Sequence, residues 1–203
     1  NRLVHNLSMN LGRPREFDID RTLESATRQF WAVGYEATSL QDLLRVMRLS
    51  KSSLYQTFGN KQQLFIRCLD HYQQSMVTQL EEKLAANNSA REFLREFLEG
   101  IVAEAQQKTG RRGCLLVNTA NELSQRIPEV QLAVAAGIGA VLNVFHRAME
   151  LAVEQGDISS STPLESLASF YFSGVSGLRT MVKAGVDKRE LEPVVALIMN
   201  TIK

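Results

Sequence analysis

Apolar residues recur at three- and four-residue intervals along nearly the whole chain, and no run follows the two-residue interval of a strand. This periodicity confines the fold to helices. The first run is Ile19, Leu23, Ala26, Phe30 and Val33, with Gly34 placed where a helix C-terminus takes a left-handed residue. Thr38-Ser39-Leu40-Gln41 has capping-box spacing and opens a short segment carrying Leu40, Leu43, Leu44 and Met47. Ser50 is placed to cap a second short segment that stops before Gly59. Asn60 then opens a long one through Leu64, Phe65, Cys68, Leu69, Tyr72 and Met76.

Downstream, Ser89-Ala90-Arg91-Glu92 repeats the capping-box spacing, and Gly110 to Gly113 is a break before an apolar segment from Cys114 to Leu123. Pro128 fits the first turn of a helix ending near Gly156, and Thr162-Pro163-Leu164-Glu165 opens one reaching about Ala184. Asp187 to Glu190 begin the last, which carries Leu191, Val194, Val195, Ile198 and Ile202. The expectation is an all-α chain of about nine helices, the first three short.

At 203 residues the chain is long enough to bury a sizeable core, and four prolines with 44% hydrophobic and 22% charged residues suit a helix-rich globular protein. A net charge of +1 gives no global sign of a polyanionic partner, so any such surface must be local. Cys68 and Cys114 both lie in apolar runs, which favours buried thiols in a reducing compartment over a disulfide. No run of roughly 18 uncharged apolar residues reads as a membrane span, and no stretch has the order of a signal peptide. The chain is expected to be cytoplasmic. Residues 1–11, with Met9 preceded by NRLVHNLS, are expected to be a tail or leader.

The segment LSKSSLYQTFGNKQQLF, residues 49–65, carries the chemistry. Residues 38–58 read as two short helices joined by Arg48-Leu49-Ser50, a helix-turn-helix spacing. On the second of them Leu54 and Phe58 share the inward face, Ser52 and Gln56 lie opposite, and Lys51, Ser53 and Tyr55 flank them. A face with short hydroxyls, an amide, a phenol, a cation and no carboxylate suits a DNA major groove. Gln56 can pair bidentately with adenine, and Ser52 is short enough to let the backbone approach a base edge. Thr38 with its neighbour Ser39, and Lys51, Ser53, Tyr55 and Lys61, are expected to hold phosphates. Arg13 and Arg15 in Gly12-Arg13-Pro14-Arg15 form a short basic arm suited to a minor groove. The plainer alternative is a solvated helix face.

Residues 12–65 resemble the N-terminal DNA-binding domain of the TetR family of bacterial transcriptional regulators. Phe30, Gly34 and Tyr35 match the aromatic and glycine near the end of the family's first helix, and Thr38 matches the threonine opening the second. Ser50, Lys51, Leu54, Tyr55, Phe58 and Lys61 match its serine-lysine, leucine-tyrosine, phenylalanine and lysine run. Ser52 stands where glycine is common, and Gln56-Thr57 where aromatics or histidine are frequent. Both departures lie on or beside the reading face. The run GCLLVNTANEL resembles one regulator subgroup.

The resemblance implies a helix-turn-helix domain over 12–62, a connecting helix over 63–80, and a ligand-binding and dimerisation domain over 81–203. It implies a homodimer through residues about 163–203, an operator of double-stranded DNA, and a small-molecule inducer. It implies no enzyme, cofactor or metal. The apolar stripes of the last two helices independently suit a four-helix interface between two copies. The candidate cavity residues are Phe93, Phe97, Leu116, Phe145, Met149, Phe170 and Tyr171, with Asn118, Asn121 and His146 as polar groups. Cys114 follows Arg111-Arg112-Gly113 at a helix start, a setting that favours thiolate, so an oxidant or electrophile is a second kind of signal. Two other classes stay open: a helical adaptor that binds only protein, and an all-α enzyme. The second lacks a paired-carboxylate, Cys-His or phosphate-loop motif, and the chain has only three histidines.

Overall fold

The computed structural model describes residues 18–106, 111–159 and 161–202. Among the described residues are nine helices and no strand: α1 (Ile19–Val33), α2 (Leu40–Met47), α3 (Lys51–Phe58), α4 (Lys61–Ala86), α5 (Ala90–Glu104), α6 (Leu115–Leu123), α7 (Pro128–Glu154), α8 (Leu164–Ala184) and α9 (Lys188–Met199). The segments read from periodicity are present, with shifted starts. Ser39, not Thr38, caps α2, and its partner is Asp42 rather than Gln41. Pro163 caps α8 without a side-chain bond, so Thr162 does not play that role. Cys114 is the capping residue of α6 and not its first turn.

Two apolar clusters organise the chain. In the first, Phe30 of α1 meets Phe65 of α4 edge to face at 4.8 Å, and Leu43, Leu54 and Leu64 are completely enclosed. Burying each such side chain contributes about 1.5–3 kcal/mol, which is how the short α2 and α3 are held without length of their own. This cluster does not end with the fourth helix: Cys114, Leu115, Leu116, Leu123, Val130 and Val134 belong to it. The N-terminal core is therefore completed by α6 and the start of α7. The second cluster joins the end of α4 to α5, α8, α9 and the rest of α7 around Leu94, Leu98, Phe145, Met149 and Tyr171.

Helix α4 runs unbroken across both expected domain boundaries, giving Leu64, Phe65, Cys68 and Leu69 to one cluster and Leu80 and Leu84 to the other. Helix α7 is long and apolar enough, by length and composition, to cross a membrane. Here it is a packed helix, with Val130, Val134, Val141, Phe145 and Met149 buried. Gly174 of α8 lets α9 approach, since a Cβ there would stand 2.7 Å from Ile198 Cδ1. Gly177 faces open space.

Candidate nucleic-acid interface and effector clefts

Helix α3 is aimed by its two ends. At its start Ser50 Oγ accepts the Ser53 N–H at 3.1 Å and lies 2.8 Å from Ser53 Oγ. At its end Gly59 takes φ +78°, and a Cβ there would collide with Gln63 Oε1, so the turn into α4 requires glycine. Arg67 of α4 donates to the Thr57 carbonyl at 3.1 Å and lies over the Phe58 ring, fixing the last turn. The α2–α3 connection contains the only positive φ among the described non-glycine residues, at Arg48 (56°).

With Leu54 and Phe58 buried, Lys51, Ser52, Tyr55 and Gln56 are exposed together on the opposite face. Lys51 Nζ lies 6.0 Å from the Tyr55 ring centre, and Lys61 sits over the Tyr35 ring at 4.3 Å. Two of the other expected contacts are engaged within the fold. Thr38 is fully buried, and its hydroxyl donates to the Gly34 carbonyl at 2.7 Å, so its role is to close the α1–α2 turn rather than to meet phosphate. The Ser39 hydroxyl is also occupied, donating to Asp42 Oδ2 at 2.6 Å while accepting the Asp42 N–H. The Ser39 hydroxyl, and then the Ser39 N–H at 3.2 Å, hold the Asp42 carboxyl below the usual range and keep it ionised at the α2 N-terminus. Arg13 and Arg15 lie outside the described residues. Arg48, exposed beside α3 and absent from the described ion pairs, is a cation that periodicity did not single out, because it sits in the turn.

The helix-turn-helix is bolted to α6. Glu122 accepts the N–H of Tyr35 at 3.3 Å on Oε2 and the N–H of Glu36 at 3.0 Å on Oε1. Gly34, at φ +89°, leaves room for that carboxylate. At the other end of the segment, Trp31 Nε1 donates to the Gly113 carbonyl at 3.2 Å. The last turn of α1 is thus held by residues that bracket α6. Cys114 lies between these two attachments, buried at 6% exposure, with the Tyr72 hydroxyl 4.0 Å from Sγ. Burial, and then the neighbouring Cys114, push the Tyr72 phenol well above its ordinary value.

Two clefts flank this junction. One, of about 640 Å³, runs between α4 and α5 from Trp31, Tyr72 and Arg112 past Met76, Leu80, Phe97 and Ile101 to Lys83 and Glu96. The other, of about 550 Å³, lies under the α1–α2 turn, where Lys183 Nζ donates to Asn118 Oδ1 at 3.0 Å. The expected cavity residues are divided. Phe97 lines the first cleft, and Asn118 and Asn121 line the second. Phe93, Phe145, Met149 and Tyr171 are sealed core; Leu116 is too, packed against Gly137, and the Tyr171 hydroxyl donates to the Leu94 carbonyl. His146 is half-buried between Glu150 and Glu165, at 3.6 and 3.8 Å. Phe170 is 49% exposed on the outer side of α8, the side away from the core. Trp31, Tyr72, Arg112 and Arg179 are cleft residues that no sequence pattern groups, because four separate segments bring them together.

The comparisons agree with this geometry. Residues 23–68 match the model of bacterial regulatory proteins of the tetR family, and residues 90–198 match the tetracyclin repressor-like C-terminal domain. The uncharacterized HTH-type transcriptional regulator YezE of Bacillus subtilis is 27% identical over 193 residues, covering 95% of this chain and 100% of that one. The HTH-type transcriptional repressor ComR of Escherichia coli is 29% identical over 189 residues, covering 89% and 86%. A cysteine mutant of the TetR family regulator CifR, complexed with 26 bp operator DNA, superposes with TM-score 0.82 at 33% identity over 95% of this chain and 100% of that one. Reduced NemR of Escherichia coli shares the fold, with TM-score 0.82 at 20% identity over 92% and 98%. This chain belongs to the TetR family of transcriptional regulators.

Proposed function

We propose that the chain binds a palindromic operator as a homodimer in the cytoplasm and represses from it, with α3 of each copy in successive major grooves. The observation that carries this reading is the exposed, carboxylate-free face of α3 made by Lys51, Ser52, Tyr55 and Gln56. Direct readout falls to Gln56 and Ser52, and phosphate contact to Lys51, Tyr55, Ser53 and Lys61, with Arg48 added. The dimer is supported by apolar groups left outside the core, Phe170 on α8 and Leu197 on α9, the latter 67% exposed. A two-fold dimer reading successive major grooves needs its recognition helices about 34–36 Å apart on one side of the duplex.

Release requires a signal in the larger domain to reach α3. The route that the bonds favour is α6, which lines the second cleft from Leu115 to Glu122 and grips the α1–α2 turn through Glu122. A small molecule filling a cleft would shift the population toward a half-site spacing that no longer fits. Thiol modification is the second reading, supported by the position of Cys114 at the cap of that same helix.

The test is anisotropy titration of labelled duplexes from the region flanking the gene, followed by footprinting. Salt-dependent preference over random DNA, with two protected half-sites one turn apart, is the expected result. Equal affinity for random DNA would dismiss the regulator reading.

A further inference from the structure

We infer that the cleft between α4 and α5 takes an elongated amphipathic monoanion, a carboxylate on an aryl or alkyl body, with its head at the domain junction beside Arg112 and Trp31. The inference rests on the regulator reading and names the chemical class of its effector.

The cleft is polarised along its length. Helices α4 and α5 run antiparallel beside it, so Tyr72 and Glu104 mark one end and Lys83 and Glu96 the other. Roughly 16 Å of α4 separates Tyr72 from Lys83, at about 1.5 Å per residue. Between the ends Met76, Leu80, Phe97 and Ile101 form an apolar strip, bordered by Ser75 and Gln79, which hydrogen bond to each other at 3.1 Å.

The charges at the two ends are not equivalent. At the junction end Arg179 is spent on Glu104, at 3.2 Å, and is only 16% exposed. That leaves Arg112 as a cation with no carboxylate among the described ion pairs; its guanidinium lies 5.8 Å from the Trp31 ring centre. At the far end Lys83 and Glu96 bring one charge of each sign, and Glu96 already accepts from Asn87 Nδ2 at 3.2 Å. One positive charge without a paired carboxylate among the described ion pairs therefore stands at the aromatic end of a cleft with an apolar strip along its floor. A single carboxylate answers it bidentately, and a dianion would meet Glu104. The body of such a ligand replaces water along Met76, Leu80 and Ile101. Its head would touch Trp31 and Arg112, on either side of the Trp31 to Gly113 bond that ties α1 to the segment before α6.

Trp31 is the chain's only tryptophan and stands in the cleft wall, so it is a built-in reporter. The probe pair is 4-phenylbutyrate and 4-phenylbutyramide, which differ only in the charge of the head and do not absorb where tryptophan is excited. Full-length protein without DNA should show saturable change in Trp31 emission with the acid at millimolar concentrations or below. The amide should bind at least tenfold more weakly. Arg112→Gln should remove that difference, Arg112→Lys should keep part of it, and Arg147→Gln on the outer surface should change nothing. Equal binding of acid and amide would overturn the inference. So would retention of the anion preference in Arg112→Gln, loss of it in Arg147→Gln, or no saturable response to the acid. Because no operator is present, failure here leaves the DNA-binding reading intact, and failure of operator binding leaves this result intact.

Discussion

Removing the Glu122 carboxylate tests how the two halves of the molecule are joined. In Glu122→Ala the N–H groups of Tyr35 and Glu36 lose the acceptors they now have at 3.3 and 3.0 Å. A bond from an amide to a charged acceptor contributes about 1.5–3 kcal/mol when shielded. Glu36 is exposed and Tyr35 half-buried, so water recovers part of the loss. The pair together is then worth about 1.5–3 kcal/mol, not twice that. For a chain of this size roughly 2–4 °C accompanies each kcal/mol, so the melting temperature should fall by about 3–12 °C in calorimetry. Glu122→Gln keeps one good acceptor and should lose about half as much. Trp31 emission should shift in the same variants, because its indole N–H bonds to Gly113 at the other end of the same attachment. A melting temperature and emission both unchanged in Glu122→Ala would refute the claim that this carboxylate couples α6 to the helix-turn-helix.

Two further outcomes follow from burial and exposure. Leu197→Asp places a charge on the outer stripe of α9, so sedimentation should show a monomer and operator affinity should drop by about 10³-fold toward the non-specific level; a stable dimer would remove α9 from the interface. Burial, chiefly, pushes the Cys68 thiol from 9.0 up to about 12, so from pH 9 to 12 the unfolded chain loses its proton first. Stability should be flat for this group below that window and fall with rising pH within it; Cys68→Ala should show a shallower alkaline slope in urea melts, and identical slopes would contradict the assignment.

Helix positions were legible because each has its own local signals. Ile19 to Val33 carry a complete 3.6-residue stripe, and Ser50, Asn60, Ser89 and Asp187 each cap the helix they precede. Thr38 misled because it has the right residue type one position early; burial against Gly34 decides against it, and burial is a tertiary property. The α3 face was readable for the same reason as the helices, since eight residues suffice to say what lies opposite Leu54. The clefts were not. Trp31, Tyr72, Arg112 and Arg179 have no shared period or spacing, and the aromatic residues that looked suited to a cavity, such as Phe145 and Tyr171, have the same periodicity whether they line a space or fill it. The Glu122 attachment joins residues 86 and 87 positions apart and leaves no local trace.

The central claim is that one exposed face of α3 reads DNA, and paired titrations of Lys51→Ala and Gln56→Ala against operator and random duplexes test it most directly. Lys51→Ala should weaken both duplexes alike and lower the slope of log affinity against log salt by about 1. Gln56→Ala should cost about 1–3 kcal/mol on the operator and leave random DNA nearly unchanged. Wild-type affinity and selectivity in both variants would place the reading surface elsewhere on the molecule.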